Sequence, residues 1–456
     1  MKILSIIFKP YEIIINIVSY ITRWIPAIVR RILAYILIQA ICYICIMNFS
    51  IIMQDKLGCG WEKPMNLSTW MLVALLLLSI DRKIDVSKIQ WNRLFWLGWL
   101  VCFGLMFGLS FNKPVEIDYL RWTILSLTVF PMMWLVWNER DDCRKLFIIL
   151  ARSMVISSFV YVAVNIMWIG DVEAVWAYEH EYTALMTNPN GNGLICIPFF
   201  TSALYLLFAD KRSLRLIYVL SMSMSTVVIV LSVCRAAELA IITELVIAVI
   251  IYFRYRRSFK EKWTLISLLT VLLVAVIFTM ASHWLFENIE RLDMSVYAAS
   301  PNGEAKEWVY SNDTLARLDV YSSGRMVTWR TYTSQATMWG NGADYEGLFD
   351  YDAGEVFLTP HNCSIDVCYE SGIVAFIGYM LWVLGGCVYI LKVLAKRCRF
   401  RPEYLMAVLA FIGCMAGTML ESHIYPMNTG IVFLGYMTWM PITIPWNDGH
   451  DVDNIS

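Results

Sequence analysis

Residues 214–253, LRLIYVLSMSMSTVVIVLSVCRAAELAIITELVIAVIIYF, are two apolar runs joined by almost nothing except one cation, Arg235. Each run is near the ~20 residues that cross a hydrocarbon core, so the pair reads as a membrane helical hairpin with Arg235 at its tip. A guanidinium at the bilayer centre costs about 2.5–3.5 kcal/mol even on insertion-based scales, which places Arg235 at a membrane edge or polar cavity with an anionic partner. A cation held there marks a substrate site as the first hypothesis. The alternative is a side chain that snorkels to headgroup phosphates.

The pattern of that hairpin repeats along the chain. With 59% hydrophobic residues, 16% charged residues and a mean hydropathy of +0.59, the 456 residues exclude an ordinary soluble domain. Apolar stretches fall near 32–54, 67–80, 94–111, 122–138, 146–169, 193–209, 214–233, 236–253, 263–285, 363–391, 404–421 and 428–445. The expected fold is therefore an all-α polytopic membrane protein with about twelve transmembrane helices, in which 67–80 is the shortest. Lys and Arg alternate across these runs: Arg82, Lys83, Lys88 and Arg93 on one side, none in 170–192, then Lys211, Arg212 and Arg215, and later RYRRSFKEK at 254–262 and KVLAKRCRFR at 392–401. Short cytoplasmic loops carry such an excess, so both termini are expected inside, with Arg235 and one large external loop domain, 286–362, outside.

The expected organisation is thus 1–31 as cytoplasmic interfacial helices, 32–285 as the first nine spans, 286–362 as the external domain, 363–445 as the last three spans and 446–456 as a cytoplasmic tail. Residues 1–31 lack the compact apolar core and small-residue cleavage site of a signal peptide, and Glu12, Asn16, Arg23 and Pro26 argue against a further span. Most of the twelve cysteines lie in apolar runs and read as small hydrophobes; Cys59, Cys363 and Cys368 lie near the outer face, and no disulfide is expected. A net charge of −1 points to no nucleic acid. No internal repeat divides the chain.

The external face holds the chemistry. Ser322 or Ser323 is placed to cap a helix from about Gly324 to Met338, with Arg325 in its first turn and Arg330 on another face. His361 and Asn362 stand where the chain re-enters the bilayer. Arg suits bidentate phosphate recognition and His suits proton handling near neutral pH, so Arg235, Arg325 and His361 on one side point to transfer chemistry on a phosphate-linked lipid. Asp350 and Asp352 have the spacing of a metal-chelating DxD but read as solvated acids in a Gly-rich loop, so no metal or other cofactor is expected. His180, His283 and His423 belong to no cluster, and Glu173, Glu179 and Glu181 make the 170–192 loop acidic.

Five pieces in a fixed order carry a family resemblance: NPNGNG at 188–193, Arg235 at the start of a span, SGRMVTW at 323–329, WGNGADYEG at 339–347 and HNCSIDVCYESGIVAFIG at 361–378. Over roughly 170–395 the chain resembles the bacterial O-antigen ligase and O-antigen polymerase family of membrane glycosyltransferases. The resemblance implies a C-type glycosyltransferase-like fold and transfer of glycan from an undecaprenyl-pyrophosphate-linked oligosaccharide to an acceptor glycan, at the outer face of the plasma (inner) membrane and without a metal. By position, Arg235 and Arg325 would grip the pyrophosphate and His361 would position or deprotonate the acceptor hydroxyl. Arg330, Asn188, Asn190, Asn362 and Glu370 would complete the substrate-binding set, with Arg330 the rival of Arg325. Relatives often have Ser before the Arg where this chain has Cys234. Membrane lipids, a flippase and a chain-length regulator are the implied partners. The sequence leads with a polysaccharide polymerase; a ligase onto lipid A core is the rival within the family, and a lipid-linked-glycan transporter or flippase the rival outside it, disfavoured by the single asymmetric insertion.

The expected topology is open to direct measurement. Accessibility reporters at 182, 300 and 345 should be reached from outside, and those at 258 and 398 only from inside. Labelling of 345 and 258 from the same side would separate Arg235 from His361 and refute a shared site.

Overall fold

The computed structural model describes residues 2–47, 62–113, 117–168, 176–177, 181–182, 189–210, 212–255, 262–287, 325–342, 360–395, 401–421 and 430–446. Two short helices, α1 (Lys2–Ile7) and α2 (Lys9–Thr22), precede α3 (Ala27–Met47), α4 (Glu62–Ser79), α5 (Arg93–Leu109) and α6 (Ile117–Ile124). A π-helical turn, Leu125–Val129, leads into α7 (Phe130–Val136), followed by α8 (Arg140–Trp168). A two-residue antiparallel pair, Trp176–Ala177 with Glu181–Tyr182, comes before α9 (Pro189–Ala209), α10 (Arg215–Leu231), α11 (Arg235–Arg254) and α12 (Lys262–Glu287). Then come α13 (Arg325–Ser334), α14 (Cys363–Asp366), a second π-helical turn at Val367–Ser371, α15 (Ile373–Ala395), α16 (Pro402–Thr418), α17 (Gly430–Thr438) and α18 (Met440–Thr443).

Helix occupies all twelve apolar runs read from the sequence. Among the described residues six helical segments are long and apolar enough to cross a membrane: 27–44, 119–136, 140–165, 190–209, 235–254 and 373–395. Five more, at 66–79, 93–109, 215–231, 265–277 and 402–418, are apolar but shorter. Together they make the chain an integral membrane protein. Three expectations shift. The first apolar run is helical from Ala27, ahead of the 32 read from hydropathy. The run 363–391 is not one helix: it breaks at Gly372, whose φ of 93° needs a residue without Cβ. The loop helix expected over 324–338 ends at Ser334.

The core is aromatic, and three of its buried indoles find backbone acceptors within it. Trp99 packs edge-on against Trp134, Trp382 and Tyr436, with ring centroids 5.3, 5.5 and 5.3 Å away, and all four rings are buried. A buried indole N–H needs an acceptor: Trp96 donates to Thr443 O at 3.0 Å, Trp134 to Tyr436 O at 2.6 Å and Trp99 to Ser126 O at 2.9 Å. The last carbonyl lies in the first π-helical turn. Asn92 caps α5 by accepting from Phe95 N and spends its amide on Gly385 O and Ile442 O, both at 3.0 Å. One residue thereby ties the start of α5 to α15 and α18.

In lipid the attraction between helices comes mainly from close packing, so small residues mark the contact. α5 and α15 touch through Gly98, Gly378 and Gly385. A Cβ on Gly98 would run into Trp382 N and Gly378 O, and one on Gly385 into Phe95 N. Gly98→Ala should therefore force the helices apart and cost about 1–3 kcal/mol. Gly104→Ala on the same helix, with nothing within 4 Å, should be neutral or slightly stabilising through better helix propensity. Thermal unfolding of the two variants in one detergent checks this; equal midpoints would refute the glycine seam.

Candidate active site

The turn between α10 and α11 is strained and clamped. Val233 adopts φ of 51°, a conformation that β-branched residues rarely tolerate. Residues of the NPNGNG stretch hold it in place. Asn192, fully buried, donates to Ser232 Oγ at 2.8 Å while its carbonyl accepts from the Tyr161 hydroxyl, and the Cys234 thiol donates to Asn190 O at 3.6 Å. A Cβ on Gly193 would meet Cys234 Cβ. The stretch therefore serves as the clamp of this turn. Asn188 lies outside the described residues.

Arg235 is thus fixed at the first position of α11 and exposed. A cation at a helix N-terminus adds to the positive end of the dipole, so the tip carries a concentrated positive potential. Glu238, one turn on, is an anionic group within reach of the Arg235 charge.

The second half of the site forms around a carboxylate that the sequence reading passed over. Glu421, just beyond α16, is 5% exposed. Its Oε2 lies 2.9 Å from His361 Nδ1, and its Oε1 lies 3.8 Å from Arg325 Nη2. Arg325 Nη1 also donates to Leu420 O at 2.9 Å, and Asn362 Nδ2 donates to Met419 O at 3.0 Å. Asn362 Oδ1 in turn caps α14 by accepting from Ser364 N and Ile365 N. Trp329, half-buried on α13, donates from its indole to Pro360 O at 2.5 Å. The three residues 419–421 thus gather α13, His361 and α14 at one end of the bundle.

Helix register brings Arg235 toward the same carboxylate. α11 and α16 pack antiparallel: Arg254, at the end of α11, bonds Leu394 O and Ala395 O, just ahead of the start of α16. Midway along, Gly413 faces Glu244, whose Oε1 accepts from Thr201 on α9 at 2.7 Å. Arg235 lies nine residues from Glu244 and Glu421 eight from Gly413. At about 1.5 Å per residue the two stand roughly 12–14 Å from that crossing, at a similar level. Electrostatics agrees. Burial pushes the Cys234 thiol up to about 12, and the Glu421 carboxylate adds to the rise.

The remaining expectations divide. Arg330 is on α13 and exposed, while Arg325 reaches Glu421. Glu370 sits in the second π-helical turn, where its carbonyl accepts from Gly342 N at 2.9 Å; the acidic partner of His361 is Glu421. Asn341 N bonds Tyr369 O, Ile373 N bonds Thr337 O, and Gly340 and Gly372 interlock, so the WGNG segment is stapled to the break before α15. Cys363 and Cys368 are free. Among the described residues no three His, Cys, Asp or Glu side chains group to hold a metal. Ser322, Ser323, Asp350, Asp352, Cys59, His180 and His423 lie outside the described residues. Glu421 had one signal in the sequence, a lone carboxylate closing an apolar run in TMLESH.

Residues 219–380 match the family model described as O-antigen ligase, which upholds the resemblance to the O-antigen ligase/polymerase family. The match holds Arg235, Arg325, His361 and Glu370; Asn192 precedes it and Glu421 follows it. No curated protein matches the chain. The clamp is the feature most simply tested. Asn192→Ala leaves buried partners unsatisfied and should cost about 1–3 kcal/mol. Gly191→Ala, with nothing within 4 Å, should leave the unfolding midpoint nearly unchanged. An Asn192→Ala protein as stable as its parent would show that the turn does not depend on it.

Proposed function

We propose that this chain is a membrane glycosyltransferase that moves glycan from an undecaprenyl-pyrophosphate carrier to a sugar hydroxyl on the outer face of the bacterial plasma membrane, extending a polysaccharide. The observation that carries the reading is the Glu421 carboxylate shared by His361 and Arg325, with Arg235 at a similar level of the bundle.

The roles follow from this geometry. A proton on His361 Nδ1, donated to Glu421, leaves the Nε2 lone pair free for the acceptor. The acceptor hydroxyl attacks the anomeric carbon; the new C–O bond forms as the bond to the phosphate oxygen breaks, and the hydroxyl proton passes to Nε2. Lipid pyrophosphate departs with the electron pair, and Arg235 and Arg325 neutralise its growing charge. A pyrophosphate is already a good leaving group, so charge neutralisation and alignment are what the site must supply, and two guanidinium groups with one His supply both without a metal. Asn362, by capping α14 and bonding Met419 O, fixes the chain that follows His361, and Asn190 and Glu370 are assigned by the resemblance to the approach of the glycan.

A ligase that passes finished glycan to lipid A core or another surface acceptor is the second reading, favoured by the description of the matching family model. Purified protein given only lipid-linked repeat units separates the two. A ladder of longer glycans supports the polymerase; transfer that requires a separate acceptor overturns it.

Residue roles are read from donor binding and single-turnover transfer measured separately. Arg235→Ala and Arg325→Ala should weaken donor binding and remove most transfer, with Lys rescuing only partly because it lacks the fork. His361→Ala should keep donor binding and slow the chemical step by about 10²–10⁴-fold. Glu421→Gln should act in the same direction through the His tautomer, and Arg330→Ala should do little. An unchanged single-turnover rate in His361→Ala would eliminate the mechanism.

A further inference from the structure

The amphipathicity of α2 is inverted. Its polar side chains face the protein: Glu12 accepts from Val86 N at 3.0 Å, Asn16 bonds Ile84 through both amide atoms, Thr22 bonds the Ile80 carbonyl, and the Tyr11 hydroxyl donates to Leu127 O in the first π-helical turn. Glu12, Ser19 and Thr22 are buried. The outward face is apolar, with Ile13, Ile14, Ile17, Tyr20 and Ile21 exposed at helical spacing, and α1 adds Ile3 and Ile6. A helix on a water-facing surface shows the opposite arrangement. Beyond a short turn, α3 continues the exposure with Ile28, Ile32 and Ile36, and α3 contains a membrane-spanning segment that is only 17% buried.

The end of α2 adds charge. Arg23 is exposed, with its guanidinium 5.1 Å from the Tyr20 ring centroid and 5.2 Å from that of Trp24, itself 77% exposed. Lys83 donates to the Tyr20 hydroxyl at 2.7 Å and stands 4.6 Å from the same ring. Two cations therefore share one aromatic patch at the rim of an apolar face, where a phosphate group would relieve their mutual repulsion. This rim lies against the loop between α4 and α5, since Thr22 bonds the Ile80 carbonyl and Lys83 bonds Tyr20, and that loop leads into the start of α5, which Asn92 ties to Gly385 in the far half of α15. It is the end of the bundle opposite His361.

We propose that α1 and α2 form an in-plane anchor whose isoleucine face lies among the acyl chains of the leaflet opposite the active site, and whose Arg23–Lys83 rim binds the headgroup of an anionic phospholipid. The occupant is lipid because the exposed surface runs on into that of a membrane span and because the adjoining cations complement an anionic headgroup. The interaction is independent of the glycosyl-transfer reading.

The full-length protein in nanodiscs of equimolar phosphatidylglycerol and phosphatidylcholine provides the test. A photo-crosslinking benzoyl-phenylalanine is placed at Ile14, Ile17 or Trp24, and adducts are identified by intact mass. Lipid adducts are expected at all three positions. At position 24 the phosphatidylglycerol adduct should exceed the phosphatidylcholine adduct by roughly fivefold, the effect expected of a basic residue at an anionic surface. The preference should fall to parity in Arg23→Gln/Lys83→Gln, with size-exclusion profile and unfolding midpoint confirming that the variant is folded. Adducts to protein, or no lipid adduct, at Ile14 and Ile17 would overturn the anchor. Parity at position 24 in the unsubstituted rim, or a preference that survives the double substitution, would overturn the headgroup site.

Discussion

One carboxylate, Glu421, organises the candidate site. A nearly buried carboxylate is costly unless cations and donors surround it, so its burial requires partners. It receives an imidazole on one oxygen and a guanidinium on the other. The partners come from separate segments, Arg325 from the start of α13 and His361 from the chain just ahead of α14, and each segment adds a further bond to the end of α16. Breaking a buried pair by removing one partner is far more damaging than never having it. The carboxylate therefore ties formation of the site to docking of the loop, and the same contact orients the His ring.

The position of Glu421 rests in turn on the seam between α11 and α16. Gly413 leaves room for the Glu244 side chain, and Thr201 on α9 donates to the Glu244 carboxyl, so three helices are indexed against one another at a single level. A slip of one residue along that seam would rotate Arg235 by about a quarter turn relative to Glu421. Intramembrane carboxyls are often assigned to ion or proton pathways. Here one Glu244 oxygen accepts from Thr201 and packs on Gly413, at the level where α9, α11 and α16 meet.

The legible part of this protein was its hydropathy. Apolar runs located the helices to within a few residues, because a lipid-exposed helix must be apolar almost throughout and its sequence records the fact directly. Arg235 and His361 stand out in the sequence for a related reason: a cation beside apolar runs and a His at a span entrance violate the local pattern. Glu421 was not, since one carboxylate at the end of an apolar run looks like ordinary punctuation, and its partners lie 60 and 96 residues away in the chain. In NPNGNG the composition left a turn with a helix start and a binding loop both open. Its Asn and Gly residues have the composition of a ligand-binding loop, yet Asn192 is buried and spends its amide on a neighbouring turn. Composition shows which groups can form hydrogen bonds; which partners they find depends on packing over long separations.

Strain supplies a last link between the fold and the proposed chemistry. Among the described residues the two non-glycine positive-φ positions are Val233 and His361. Such conformations cost of order 1–3 kcal/mol each and persist where their surroundings over-determine them. Val233 is held by Asn192 through Ser232, and His361 by the Asn362 cap on one side and the Trp329–Pro360 contact on the other. In both places the chain reverses within a residue or two, which puts Arg235 on the first turn of its helix and His361 just outside the first turn of another. Side chains launched from such corners are aimed by the backbone before any substrate arrives. A site whose task is to meet charge as it develops gains most from that arrangement, because groups already in place need not reorganise during the reaction.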